Sequence, residues 1–374
     1  MRKPQTVLVL QGGGALGAYQ GGAFAGLVEH SITIDWVVGT SIGAINGAII
    51  AGNPPELRAQ KLHGFWQHIA TDENMGLFAM FGDSIAVRQF QANLRTMQAM
   101  TSGIAGFYKP RHPMPLDLSK LVHPGQASFY DTSPLEESLN AFVDFDYLNA
   151  GHVRYTACAV DVASCELVRF ENRTVGSRKK ELLSARHVMA SGALPPGFAP
   201  VEIDGKFYFD GGIYSNTPVD IVLDDAERCD TLCFMVDLWD PTESVPQSIN
   251  EAMARQKDIQ YASRSSEHLA DHKEMQNLRH AIRVLSEQIP KAKQSAAVQA
   301  LMRKGCVSKI NIVRVIMKAM PNDGHMKDID FSRATVNARW AMGLHDIERA
   351  LRKKSWLQPL PEHVGMAVHE LHQE

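Results

Sequence analysis

A serine between two glycines is the strongest chemical signal in this 374-residue chain. Residues 39–43 read Gly-Thr-Ser-Ile-Gly and lie between two apolar runs, 34–38 and 42–50. If the first run is a strand and the second a helix, the chain turns sharply at Ser41, and Gly39 and Gly43 keep side chains away from its hydroxyl. The pattern therefore predicts a nucleophilic serine. A small-residue helix start with Ser41 as its N-cap fits the same residues.

A glycine-rich segment follows the apolar run 7–10, where residues 12–17 read Gly-Gly-Gly-Ala-Leu-Gly and end at Gly17. Consecutive glycines between a strand and a helix can direct several backbone N–H groups at one anionic oxygen. In acyl transfer such a loop stabilises the oxyanion of the tetrahedral intermediate. The predicted donors are the N–H groups of Gly12, Gly13, Gly14 and Ile42.

The same glycines also form a G-x-G-x-x-G pattern, which is typical of dinucleotide-binding folds. Asp35 lies at about the distance where such folds keep their ribose-binding acid. However, Asp35 precedes the run 36–38 and so falls at the start of the second strand, and this interpretation leaves Ser41 unexplained. A dinucleotide-binding protein that uses residues 12–17 remains the alternative of another class.

A candidate acid lies far downstream, where Asp210, Gly211 and Gly212 follow the aromatic strand predicted at 206–209. An aspartate beside two glycines fits two roles. It can be an acid in a confined pocket, or the first residue of a turn. Taken alone, the three residues leave both roles open.

Taken together, these motifs resemble the patatin-like phospholipase family. The resemblance also covers residues 190–200, read as Ala-Ser-Gly-Ala-Leu-Pro-Pro-Gly-Phe-Ala-Pro, and Asn-Thr-Pro at 216–218, and it extends over about residues 5–240. It implies a three-layer α/β/α fold with a mainly parallel sheet. It also implies a Ser-Asp dyad, with Ser41 as nucleophile and Asp210 as base, which cleaves lipid esters through an acyl-enzyme. One departure is Leu16, where many members carry Arg or Lys, and this weakens the case for a phospholipid.

Other functions remain open at this stage. The same site would serve an esterase, a thioesterase or a hydrolase of polyester oligomers. A serine-histidine mechanism would need a histidine close to Ser41, and the candidates after Asp210 include His268, His272 and His280. No metal constellation stands out, and no cofactor is predicted.

The elements that position these residues follow from periodicity. The first fifty residues read as β-α-β-α, which predicts a parallel sheet covered on both faces. Further strands are predicted at 153–160, 166–170, 205–212, 232–238 and 310–317, and helices at 178–189, 249–263, 266–287 and 332–354. After residue 240 the sequence becomes polar, charged and periodic. This change predicts two domains, an acyl hydrolase domain at 5–245 and a mostly helical one at 246–374.

Composition and charge suggest an ordinary globular protein. Hydrophobic residues make up 45% and the net charge is -3, which argues against disorder and against a nucleic-acid partner. Five cysteines without CxxC spacing suggest a reducing compartment, so a cytoplasmic location is expected. Basic clusters at 178–186 and 349–354 are solvated helix faces, or a contact for an anionic membrane surface with Trp356 as its interfacial anchor. The segment 75–109, rich in Met and Phe, is predicted to be helical and to be core, cap or lipid-facing surface.

Overall fold

The fold is described from a computed structural model, which covers residues 4–72, 85–112, 117–225, 227–242, 245–320 and 323–370, without the side chains of 85–93 and 263–265. The predicted helical segment 75–109 is therefore seen only from residue 85, and its first part lies outside the described residues. Its described part contains a helix that ends at Ser102.

Within the described ranges, nine strands form a sheet at the centre of the molecule. Its strands are β1 (Gln5–Leu10), β2 (Trp36–Thr40), β5 (Arg154–Asp161), β6 (Leu167–Glu171), β7 (Val201–Ile203), β8 (Lys206–Asp210), β9 (Thr231–Asp237), β10 (Ile310–Ile316) and β11 (Met366–Glu370). A separate small sheet pairs β3 (Lys109–Pro110) with β4 (Tyr130–Asp131). The order β11-β10-β9-β1-β2-β5 is parallel throughout, and β6, β7 and β8 add antiparallel pairs at the other end.

Helices cover both faces of this sheet. They are α1 (Ala18–Glu29), α2 (Ile42–Ala51), α3 (Arg58–Ile69), α4 (Ile85–Ser102), α5 (Ser133–Phe142), α6 (Phe145–Ala150), α7 (Ala185–Ser191), α8 (Val219–Leu223), α9 (Ile249–Glu287), α10 (Ala296–Met302) and α11 (Arg333–Lys353). Alternate residues of β1 belong to different cores: Leu8 packs with residues of α1, α2 and α11, whereas Val7 packs with residues of α8 and α9. This alternation is what a strand buried on both faces requires, and it confirms the predicted three-layer α/β/α architecture.

The C-terminal third of the chain is built into the same sheet. Strand β10 pairs in parallel with β9, and α11 packs along α1. Glycines allow the two helix backbones to approach closely, since a Cβ on Gly22 would lie 1.8 Å from the Trp340 carbonyl oxygen and one on Gly343 2.0 Å from that of Tyr19. The domain boundary predicted near residue 245 stays a prediction. The β9–β10 and α1–α11 contacts join residues from both sides of it.

Two helix predictions are wrong. The predicted helix at 178–189 is limited to Ala185–Ser191, because Arg178 instead forms a bridge with Val175. The two helices predicted at 249–263 and 266–287 are one continuous helix of 39 residues. No strand is predicted from the sequence at the position of β11.

Candidate active site

Ser41 lies at the sharp turn between β2 and α2. Its φ of 56° and ψ of -125° are a strained combination for a residue with a side chain, of the kind that costs about 1–3 kcal/mol. Gly39 and Gly43 make the turn possible: a Cβ on Gly39 would lie 2.3 Å from the Gly43 carbonyl oxygen, and one on Gly43 2.2 Å from that of Leu10. Both positions therefore exclude any larger residue, as the G-x-S-x-G pattern predicts.

Strand β5 brings Ser41 and Asp210 together. Strand β2 runs parallel to β5 and ends with Thr40 opposite Cys158, whereas β8 runs antiparallel and ends with Asp210 opposite Ala159. Strand β6 pairs with 156–160 of β5 and so occupies its other side. The ends of β2 and β8 therefore meet head to head on one side of β5, although about 170 residues of chain separate them.

The Asp210 carboxyl group is almost completely buried, with 1% of the residue exposed. Burial raises its pKa to about 7, while hydrogen bonds from the Ser41 side chain and from the Gly212 N–H (2.7 Å) oppose the rise. Gly211 keeps this turn tight, because a Cβ there would lie 2.4 Å from the Cys158 carbonyl oxygen. An aspartate in this environment is a stronger base than a solvated one.

Ser191 holds the turn at Ser41 in place. The Ser41 N–H donates to Ser191 Oγ (3.0 Å), and that hydroxyl in turn donates to the Cys158 carbonyl (2.6 Å). Two residues further on, the Ala193 carbonyl accepts from the Asp210 N–H (3.1 Å). The segment 190–200 therefore holds both candidate residues. Sequence comparison identified Ser191 only as part of a motif and assigned it no role.

The glycine loop faces Ser41, but its N–H groups are not equivalent. The Gly12 N–H already donates to the Asn216 carbonyl (3.1 Å), so this glycine anchors the loop. Gly13 precedes a short 3₁₀ helix (Gly14–Gly17), and Gly14, its first residue, has a positive φ of 54°. Ile42 begins α2, where an N–H group has no acceptor within the helix. Gly13, Gly14 and Ile42 are thus the better candidates for oxyanion donors.

Buried polar side chains hold the glycine loop in place. Gln11 accepts from the Leu238 and Trp239 N–H groups and donates to Thr217 Oγ1 (2.7 Å), while the Asn216 side chain and the Trp239 ring N–H donate to the Gly12 carbonyl (3.1 and 2.8 Å). Gly17 lies at the far end, with its carbonyl bound by Asn46 (3.0 Å). The residues after Asp210 and those after β9 therefore both position the loop. No sequence signal assigned this role to Gln11 or Asn216.

A largely apolar cleft of about 340 Å³ opens onto Ser41, Asp210 and the glycine loop. Its aromatic lining residues are Phe107, Tyr108, Tyr130, Phe198, Trp239, Tyr261 and Phe331. Met100 also lines it, so the described part of the segment 75–109 contributes both to the cleft and to the core. The C-terminal third supplies Lys257, Tyr261, Asp328, Ile329 and Phe331. The cleft has the size and polarity of a site for a hydrophobic small molecule.

The three candidate histidines lie elsewhere. His268 and His272 both contact the Asp220 carboxylate (3.0 and 3.2 Å), and His280 is buried against the Cys306 carbonyl (3.1 Å). Within the described residues the cleft lining contains no histidine. A serine-histidine mechanism is therefore not supported. The described part of the chain also holds no cluster of three or more His, Cys, Asp or Glu side chains suited to a metal ion.

The basic cluster at 349–354 lacks the aromatic anchor predicted for it. Trp356 is buried, packs edge-on against Phe234 at 5.9 Å between ring centroids, and donates to the Ala350 carbonyl. It cannot insert into a membrane from this position. Across the ranges that the structure covers, the helices are too short or too polar to span a bilayer.

Comparison with family models gives two matches. A model described as patatin-like phospholipase matches residues 8–223, and a second, described as patatin phospholipase, matches residues 259–363. The first covers more than half of the chain and includes Ser41 and Asp210.

Individual relatives share shorter segments. The lysophospholipase nte1 of Aspergillus terreus is 39% identical over 97 residues, which are 21% of this chain and 6% of that protein. A patatin-like phospholipase domain-containing protein of Caenorhabditis elegans is 48% identical over 52 residues, 14% of this chain and 5% of that protein. The matches thus span only about a twentieth of either relative.

Solved structures resemble the chain at low identity. VipD from Legionella pneumophila aligns with 94% of this chain and 67% of its own, at 14% identity and a TM-score of 0.40. Human GIVD cytosolic phospholipase A2 aligns with 93% of this chain and 60% of its own, at 13% identity and a TM-score of 0.37.

Proposed function

Because the chain belongs to the patatin-like phospholipase family, we propose that it is a lipid acyl hydrolase that cleaves carboxylic esters with Ser41 as nucleophile and Asp210 as base. The observation that carries the proposal is the buried Asp210 carboxyl group beside Ser41 at the foot of an apolar cleft. A buried acid with a pKa near neutrality, next to a strained serine, is a combination that structural roles alone do not require.

In the first half-reaction, Asp210 accepts the hydroxyl proton of Ser41 as Oγ bonds to the ester carbonyl carbon. The carbonyl oxygen becomes an oxyanion and accepts hydrogen bonds from the N–H groups of Gly13, Gly14 and Ile42. The carbon–oxygen bond to the alcohol then breaks, and the departing alkoxide takes the proton back from Asp210. Ser41 is left acylated.

In the second half-reaction, Asp210 removes a proton from a water molecule that attacks the acyl-enzyme. The same N–H groups stabilise the second oxyanion, and the bond to Ser41 Oγ breaks as the serine regains its proton. A fatty acid and the free enzyme result. Each oxyanion donor of this kind is typically worth about 100- to 1,000-fold in rate.

The cleft supports an acyl chain as the group that is bound. Aromatic and aliphatic side chains make up most of its lining, and burial of each substrate methylene stabilises the complex by roughly 0.8 kcal/mol. Esterase, thioesterase and polyester-oligomer activities would use the same dyad, and only substrate profiles separate them. Access to a lipid would bring the protein to a membrane surface, so peripheral membrane contact is part of this proposal.

The dinucleotide alternative finds less support. Asp35 Oδ2 accepts from the Thr6 N–H (2.8 Å) at the amino end of β1, whereas the glycine loop follows the carboxyl end of the same strand. The acid expected to bind a ribose therefore lies at the opposite edge of the sheet from the loop that would bind the pyrophosphate.

The test is hydrolysis of p-nitrophenyl esters and of dispersed lipids by the wild type, Ser41→Ala and Asp210→Asn. Ser164→Ala, an exposed serine in the β5–β6 turn, is the matched control. We expect activity in the wild type and control, and a loss of at least 1,000-fold in both site variants. Full activity in Ser41→Ala would overturn the proposal.

A further inference from the structure

An ion pair lies in the wall of the cleft, directly beside the glycine loop. Lys257 Nζ is 2.7 Å from Asp328 Oδ1, and both residues line the cleft. The loop and Asp328 are in close contact, because a Cβ on Gly14 would lie 2.3 Å from the Asp328 carbonyl oxygen. A cation is therefore held in the wall of the same cleft, paired with a residue whose backbone contacts the glycine loop.

Lys257 is the one cationic side chain among the described residues that line the cleft. The glycine loop supplies none, since Leu16 is completely buried in the hydrophobic core. An anionic group near the scissile ester would therefore meet Lys257, which comes from the part of the chain after residue 245.

The pair is exposed enough to exchange partners. The side chains of Lys257 and Asp328 are 28% and 21% exposed, in contrast to the adjacent pair of Lys327 and Asp258, at 6% and 4%. Partly exposed ion pairs contribute little to stability, so an incoming anion can replace Asp328 at small cost. The neighbouring buried pair anchors α9 and keeps the Lys257 backbone in place, since breaking such a pair is strongly unfavourable.

We propose that Lys257 binds the phosphate group of a glycerophospholipid substrate and that Asp328 holds the lysine in position until the phosphate replaces it. The inference rests on the proposed hydrolase function and identifies a residue that would determine its specificity. The region matched by the second family model, together with the first turns of α9, thereby completes the substrate site.

The test compares two lipids with identical dioctanoyl chains, phosphatidylcholine and diacylglycerol, in the same neutral mixed micelles. Phosphatidylcholine carries the phosphate without net charge, so attraction to the micelle surface does not differ. The measured quantity is the ratio of kcat/KM for the two lipids in the wild type, Lys257→Gln, Lys257→Arg and Asp328→Asn. Lys273→Gln, an exposed lysine on the same helix, is the control.

Lys257→Gln should lower the ratio by about tenfold, as expected for the loss of one charge-assisted hydrogen bond. Lys257→Arg should retain most of it, and Asp328→Asn should raise it, because the lysine no longer has a competing partner. A purely structural ion pair predicts instead that Lys257→Gln and Asp328→Asn reduce activity on both lipids in parallel, and this result, or an unchanged ratio, would overturn the inference alone. If the wild type hydrolyses neither lipid nor any other ester, the proposed function fails and the inference falls with it.

Discussion

The backbone N–H of Ser41 donates a hydrogen bond to Oγ of Ser191, 150 residues further along the chain. Ser191 is completely buried, and its hydroxyl donates a hydrogen bond to the Cys158 carbonyl, on the strand that aligns β2 with β8. One hydroxyl therefore links the serine turn to the strand that sets its distance from Asp210. The positions of the two candidate catalytic groups depend on each other through this contact.

Ser191→Ala should lower kcat roughly 10- to 100-fold with KM changed less than about twofold, because the turn loses its support while the cleft is kept. Steady-state kinetics on a soluble ester measure the split, with circular dichroism to show that the variant folds. Equal changes in kcat and KM, or none in either, would contradict a positioning role for Ser191.

The pKa of Asp210, raised to about 7 by burial, predicts the pH dependence of activity. Only the carboxylate can accept the Ser41 proton, so kcat/KM should rise about tenfold per pH unit below pH 7 and level off above it. An aspartate with its ordinary pKa near ~3.9 would give a flat profile from pH 5 to 8. A flat profile in protein that remains folded would exclude Asp210 as the titrating base.

The raised pKa of Asp210 also predicts that Asp210→Asn stabilises the folded protein. Since the folded-state pKa lies above the unfolded value, the folded protein holds the proton longer, and stability is lost as the pH rises from about 4 through 7. Asparagine carries no charge to bury. The free energy of unfolding of the variant should therefore exceed that of the wild type by up to about 4 kcal/mol at pH 8 and by little near pH 4.5. Thermal unfolding at both pH values tests this, and a lower Tm for the variant at pH 8 would contradict it.

Gly14→Ala should abolish activity through a steric clash of the new Cβ, in addition to the strain of the positive φ at this position. The new Cβ would lie 2.3 Å from the Asp328 carbonyl oxygen, so the glycine loop must shift away from Ser41. We expect kcat to fall at least about 100-fold. Gly205→Ala is the control: its φ of 76° is also positive, but nothing lies within 4 Å, so it should cost only about 1 kcal/mol of stability. Equal effects of the two substitutions on kcat would show that the loop position is unimportant.

Phe198→Ala should change the preference for acyl chain length. Phe198 packs against Tyr108 at 5.4 Å between ring centroids and lines the cleft. Its removal should reduce kcat/KM for decanoyl esters about tenfold while acetyl esters change less than about twofold, because only the longer chain reaches apolar surface there. Leu121→Ala, at a 96% exposed residue, is the control. A uniform loss across chain lengths would mean that acyl chains bind elsewhere.

The local part of the site could be predicted from sequence. The strand before Gly12, the turn at Ser41 and the acid at Asp210 each combine a characteristic residue type with a recognisable element, and the structure has the expected elements at all three. Glycines at 39 and 43 are required by contacts within a few residues, so a short motif carries the information. The roles themselves remain predictions until activity is measured.

The long-range part could not be predicted. Lys257 and Asp328 reach the cleft only because β10 joins the sheet and α11 packs on α1, and no local pattern encodes those contacts. The interruption predicted between residues 263 and 266 does not occur, and α9 is continuous through it, since intrinsic helix propensity is a weak constraint. Of the two interpretations of the basic cluster at 349–354, membrane contact would use Trp356 as an interfacial anchor, but its ring packs against Phe234 in the core.

The most direct test of the central claim is covalent labelling with a fluorophosphonate, followed by mass spectrometry of the tryptic peptides. We expect one adduct, on Ser41, which is absent in Ser41→Ala and formed much more slowly in Asp210→Asn than in the wild type. Labelling at another residue, or none in folded protein that is otherwise active on esters, would show that Ser41 is not the nucleophile.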